Sequence, residues 1–124
     1  MKRGFLIVAL AVVALLAVVG CSGGGASGAS GGGNEINVKL SEMKFDPASF
    51  TVTAGQSVKL SAQNIGTVIH DFAVKGLEAD TKLDVSPGQT GTKSFTAPKA
   101  GSYEIYCTQP GHEAAGMKGT LTVK

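Results

Sequence analysis

The chain has 124 residues, with eleven Lys and Arg against nine Asp and Glu and a formal charge of +2; that is room for one small domain. Lys2 and Arg3 carry the whole excess, because from residue 21 onward nine Lys face nine acidic residues. A neutral body gives no support for nucleic-acid binding, which needs a basic face, and no run of like charges marks a disordered interaction tail.

The chain opens with Met1-Lys2-Arg3 and an unbroken apolar run from Phe5 to Val19. These are the positive n-region and apolar h-region of an export signal, predicted over residues 1–20. The run is short of the ~20 apolar residues that span a bilayer comfortably. It ends at Val18-Val19-Gly20-Cys21, which resembles the bacterial lipobox. Cys21 is therefore expected to carry lipid and to become the first residue of the mature protein. Residues 21–34 follow as a tether. Ser22 to Gly33 contains only Ser, Gly and Ala, so it buries no apolar surface and should remain a flexible coil. Its r.m.s. reach is about 20 Å and its taut limit about 45 Å. Such a tether suits a protein that visits partners on the same membrane.

Residues 35–124 form the predicted domain, enough for one small core. Ile36, Val38 and Leu40 alternate with polar neighbours, as a half-buried strand requires. Phe50 and Val52 do the same before Ala54-Gly55-Gln56 turns the chain, and Val58, Leu60 and Ala62 follow. Lys75 to Gln89 reads as an irregular excursion with room for one short strand. Tyr103, Ile105 and Cys107 share a face, as do Leu121 and Val123. Pro47, Pro87-Gly88, Pro98 and Pro110-Gly111 punctuate the sequence, and no stretch has convincing helical periodicity. Seven or eight short strands separated by turns predict an all-β, two-sheet antiparallel sandwich with Greek-key connections.

The chemistry is concentrated in Cys107-Thr108-Gln109-Pro110-Gly111-His112-Glu113-Ala114-Ala115-Gly116-Met117. Cys107 is the domain's single cysteine, and His70 and His112 are the only histidines of the chain. An exported domain with one thiol cannot close an internal disulfide, so that thiol needs another purpose. A thiolate, an imidazole and a thioether on one loop, with a second imidazole from elsewhere, make the His₂Cys set with a weak axial Met that suits copper. Thiolate and thioether favour Cu(I), while imidazole accepts both oxidation states. Taken singly, His70 reads as a structural histidine, Met117 as core filling and Cys107 as an inert thiol. It is the combination that points to a metal.

The stretch from Tyr106-Cys107 through His112 and Met117 to Val123 resembles the copper loop and last strand of the plastocyanin/azurin-type blue-copper (cupredoxin) family. Asn64, Thr67 and His70-Asp71-Phe72 resemble the segment carrying the first histidine. Phe45-Asp46-Pro47 and Thr53-Ala54-Gly55 also look like bacterial members. The resemblance covers about residues 35–124. It implies one type 1 copper ion cycling between Cu(II) and Cu(I), with His70, Cys107 and His112 as trigonal ligands and Met117 as the axial one. Four residues separate Cys107 from His112 and four separate His112 from Met117, a combination most similar to the auracyanin-like branch. Asp71 stands where the family often has Asn; a carboxylate accepts hydrogen bonds but does not donate them.

The expected function is a membrane-tethered electron carrier serving redox proteins of a respiratory or photosynthetic chain. The expected form is a monomer on the extracytoplasmic face of a bacterial membrane. Pro110, Gly111, Ala114 and Ala115 surround His112 with small uncharged groups and form the expected partner-docking patch. Copper delivery or storage is the alternative, since one site can carry a metal or an electron. A cysteine enzyme using Cys107, a histidine and Asp71 leaves Met117 unexplained, and a zinc site fares no better, thioether being a poor zinc ligand. No enzymatic activity is expected.

Overall fold

The computed structural model describes residues 34–124. The predicted export segment, Cys21 and the tether up to Gly33 lie outside the described residues. Ten elements follow in chain order: β1 (Glu35–Ser41), β2 (Lys44–Asp46), β3 (Ser49–Val52), β4 (Ser57–Asn64), β5 (His70–Val74), α1 (Glu78–Thr81), β6 (Leu83–Val85), β7 (Thr90–Thr96), β8 (Gly101–Tyr106) and β9 (Lys118–Val123). They build two sheets, ordered β2-β1-β4-β7 and β3-β9-β8-β5-β6. The all-β two-sheet sandwich is thus as expected. Among the described residues no helix is long and apolar enough to cross a membrane.

Alternation decides which side chains meet between the layers. Ile36, Val38 and Leu40 of β1 and Val58, Leu60 and Ala62 of β4 are buried, and their polar neighbours face out. Phe72, Val74, Ile105, Leu121 and Val123 meet them from the other sheet. Phe45 and Phe72 touch edge to face, with ring centroids 6.0 Å apart and planes at 72°. Each fully buried Leu, Ile or Phe contributes ~1.5–3 kcal/mol by leaving water.

Two ladders differ from the antiparallel expectation. β1 pairs with β4 in parallel, and β3 pairs with β9 in parallel, while the other ladders are antiparallel. The side-chain period is the same in both orientations, so alternation carried no sign of this. The connectivity produces it: after β1 the chain crosses to the second sheet for β3 and returns for β4. The excursion after β5 contains α1 and β6, and α1 is only four residues long. Thr81 ties it down, its hydroxyl accepting from Val74 N–H (2.9 Å) and donating to Leu77 O (2.7 Å). All five residues of β5 are buried. β5 is consequently a rigid mount for whatever its first residues carry.

Candidate metal centre

His70 opens β5, and Cys107 follows the last residue of β8. These strands are antiparallel neighbours, with Ala73 opposite Tyr106 and Val74 opposite Ile105. Continuing that register brings Asp71 opposite Thr108, so His70 and Cys107 meet at one end of the sheet. Asp71 N–H points at the Cys107 sulfur, 3.4 Å from Sγ. The Asp71 carboxylate does what the missing ladder bonds would do: Oδ1 accepts from Thr108 N–H (2.7 Å), and Oδ2 accepts from the Thr108 hydroxyl (2.7 Å) and Gln109 Nε2 (2.9 Å).

The loop after Cys107 folds back through successive turns. His112 N–H donates to Gln109 O (3.1 Å), Ala115 N–H to Gly111 O (3.1 Å) and Gly116 N–H to Glu113 O (2.9 Å). Met117 N–H then donates to His112 O (3.0 Å), and Cys107 N–H to Met117 O (3.1 Å), closing the loop at its base. Gly111 and Gly116 have φ of 81° and 105°, values that a side chain disfavours. The closure returns Met117 to the interior, where it is fully buried against the core.

The result is a cluster. Ligand atoms of His70, Cys107 and His112 all lie within 4.8 Å of one another. The two Nδ1 atoms are 3.2 Å apart, and Cys107 Sγ is 3.4 Å from His112 Nδ1. Donor atoms so spaced match ligands sharing one ion about 2 Å from each. Soft sulfur and two imidazoles, with a buried thioether on the same loop, suit copper. His70 Nε2 is the one buried side-chain nitrogen or oxygen without a hydrogen-bond partner among the described residues. Its ring is held by packing where metal-binding histidines ordinarily have a second hydrogen bond.

Burial dominates the electrostatics of the donors. Burial pushes the Cys107 thiol above its ordinary range; N–H groups of Asp71 and Gln109 oppose this, and the Asp71 carboxylate adds to it. Burial, and then the neighbouring His112, holds His70 below the usual imidazole value. Without a cation the groups favour a neutral thiol and a neutral ring. A bound metal ion reverses the balance at sulfur and stabilises the thiolate.

The rim is apolar. Pro110, Gly111, Ala114, Ala115 and Gly116 are exposed around a half-buried His112. Ile65, Val68 and Ile69, immediately before His70, are 57%, 43% and 42% exposed. Sequence reasoning missed these three. The available signal was a break in alternation after Asn64, where apolar residues flank the turn pair Gly66-Thr67 without fitting either strand. Asn64 supports this segment from below, donating to Val68 O and Val85 O (both 2.8 Å). Glu42 clasps it from the side, accepting from Thr67 N–H and from the Thr67 hydroxyl. On another flank Lys75 Nζ bridges Glu104 (2.7 Å) and Glu113 (2.6 Å) and lies 5.2 Å from the centre of the Tyr106 ring.

The chain is similar to known proteins. A family profile described as Cupredoxin-like domain matches residues 6–123. The copper-resistant cuproprotein CopI of Rubrivivax gelatinosus is 34% identical over 109 residues, covering 72% of this chain and 66% of that protein. A plastocyanin of Prochlorothrix hollandica is 34% identical, covering 64% of this chain and 63% of its own length. The chain therefore spans about two thirds of each of these two relatives. Reduced auracyanin from the photosynthetic bacterium Roseiflexus castenholzii superposes with a TM-score of 0.68 at 30% identity, over 76% of this chain and 99% of that one. With this fold, this donor cluster and a family match over nearly its whole length, the chain belongs to the cupredoxin-like domain family.

Proposed function

We propose that this chain is an extracytoplasmic electron carrier tethered to a membrane through Cys21, in which His70, Cys107 and His112 would hold one copper ion and Met117 would be its weakest donor. The observation that carries the reading is the convergence of two Nδ1 atoms and one Sγ at one end of the sandwich. A copper ion bound there supplies a one-electron couple. The protein's own residues do the rest. β5 and β8 fix His70 and Cys107, so the donors move little when the charge changes. Met117, fully buried, closes the inner side against water. His112, half-buried at the rim, gives an electron a short way out. Pro110, Gly111, Ala114 and Ala115 form the docking patch, extended by Ile65, Val68 and Ile69. A small apolar patch suits the brief encounters of electron-transfer partners.

The division proposed is an export segment over 1–20, a lipidated Cys21 with its spacer over 21–34 and a folded domain over 35–124; the apolar run from Phe5 to Val19 ending before Cys21, and the Ser/Gly/Ala stretch to Gly33, support it. Delivery or storage of copper is the second reading, favoured by the similarity to a protein named for copper resistance. One experiment separates them: visible absorption of the copper-loaded protein, rapid ascorbate reduction, and metal analysis before and after. Intense colour that bleaches reversibly with copper retained supports the carrier. Copper lost on reduction supports delivery. Cys107→Ser should remove the colour, because the absorption needs the thiolate; a Cys107→Ser protein as blue as the parent overturns the ligand assignment.

A further inference from the structure

Asp71 is fully buried, and nothing in the ligand set accounts for it. Buried carboxylates are uncommon unless paired or hydrogen-bonded, and no cation lies against this one among the described residues. Instead its two oxygens take three hydrogen bonds, all from Thr108 and Gln109, the first residues after Cys107. Every bond in this set is satisfied with the carboxylate ionised and acting only as acceptor. Its backbone N–H meanwhile donates to the Cys107 sulfur. One residue thus holds the start of the ligand loop with its side chain and the sulfur with its main chain.

We infer that Asp71 is a positioning residue with a second role: a fixed negative charge beside the site that favours Cu(II) over Cu(I). The inference rests on the copper reading above. The two oxidation states differ by one unit of charge. A full charge on the residue next to His70, hydrogen-bonded to the residue after Cys107 and fully buried, interacts with that difference strongly. At an effective dielectric of about 20, a separation of several ångströms corresponds to roughly tenfold or more in an equilibrium constant. An amide in the same place would brace the loop without this bias. The Asp71 N–H bond to sulfur works the other way, drawing electron density from the thiolate, and it persists whichever side chain follows. Charge and bracing are therefore separable by substitution.

Asp71→Asn keeps the shape, and its Oδ1 can still accept from Thr108 N–H. Asp71→Ala removes charge and bracing together. Two measurements are made on the full chain: the ratio of Cu(II) to Cu(I) affinity by potentiometric titration, and amide hydrogen exchange at Thr108 in the metal-free protein. Asp71→Asn should lower the affinity ratio by about tenfold or more and leave Thr108 exchange within a few-fold of the parent. Asp71→Ala should raise Thr108 exchange by about tenfold or more, as expected for a lost charge-assisted bond. An unchanged ratio in a blue Asp71→Asn protein overturns the charge role while the copper reading stands. Unchanged Thr108 exchange in Asp71→Ala overturns the positioning role. A parent chain that binds no copper overturns the copper reading and the charge role with it.

Discussion

Gly119 is the point where the fold that carries the loop is most sensitive to a single methyl group. It lies in β9 opposite Ile105 of β8, two residues after Met117. On the other side the next residue, Thr120, donates its N–H to Ala48 O at 2.8 Å. A Cβ at position 119 would sit 2.1 Å from that same oxygen, 2.9 Å from its carbon and 3.1 Å from Ile105 Cδ1. The obstacle is main chain, so a rotamer change cannot relieve it. Either β3 separates from β9, losing the Ala48–Thr120 bond at ~0.5–1.5 kcal/mol, or the strands shift with ~1–3 kcal/mol of overpacking strain. Alanine returns ~0.4–1 kcal/mol by stiffening the unfolded chain. Gly119→Ala should therefore cost a net ~0.3–2.3 kcal/mol, read as a lowered urea midpoint of the metal-free protein at constant slope. Gly55→Ala is the control. Gly55 has φ +73° and nothing within 4 Å of a Cβ, so only left-handed strain of ~1–2 kcal/mol applies. A Gly119→Ala midpoint equal to or above the parent's would refute the clash and the β3–β9 register behind it.

Met117→Leu should keep a blue, copper-loaded protein, cost under ~1.5 kcal/mol as a volume-conserving core change, and raise the midpoint potential through loss of a weak axial donor; Met117→Gln should lower it. An unchanged potential in Met117→Leu, measured by redox titration, would remove Met117 from the ligand list. Ala115→Asp places a charge on the exposed rim, and stopped-flow transfer to a physiological partner should slow while the visible spectrum stays nearly constant. Glu42 has its carboxyl lowered from 4.5 to about 2, chiefly by the Thr67 N–H it accepts. Its folded-state value is depressed, so its stabilising effect is full above 4.5 and is lost as pH falls towards about 2. Glu42→Gln should flatten the acid limb of stability over that window, checked by urea midpoints. Mass spectrometry of the native N-terminal peptide should find diacylglycerol on Cys21, and an intact Met1–Gly20 segment would refute processing there.

The alternation that decides burial was plain in the sequence, because Ile36, Leu40, Val58, Leu60, Ile105 and Leu121 each sit between polar neighbours. So was the chemistry of the loop, because Cys107, His112 and Met117 fall within eleven residues. The parallel ladders were not legible: Ser49↔Thr120 and Glu35↔Lys59 depend on where the chain crosses between sheets, which no local pattern encodes. The role of Asp71 was half legible. Its inability to donate is a property of the residue, but that Thr108 and Gln109 supply three donors follows from the β5–β8 register. Ile65, Val68 and Ile69 stayed hidden because exposure of an apolar residue is settled by what fails to cover it.

The loop's placement rests on its internal turns and on the buried Asp71 more than on exposed ion pairs. Lys75 joins Glu104 and Glu113, yet these side chains are 52%, 38% and 39% exposed, and pairs so wet contribute ~0–1 kcal/mol at most. Against them stand five backbone hydrogen bonds within residues 107–117 and three to the buried Asp71 carboxylate, each worth ~0.5–1.5 kcal/mol, more where a charge is involved. The second group wins by several kcal/mol. It also divides the labour usefully. His70 and Cys107 belong to the sheet and move only if the sandwich moves. His112 and Met117 belong to a loop whose two left-handed glycines and internal turns fix its length. A change within residues 108–116 can thus alter the exposed rim, while the buried half of the site keeps its geometry.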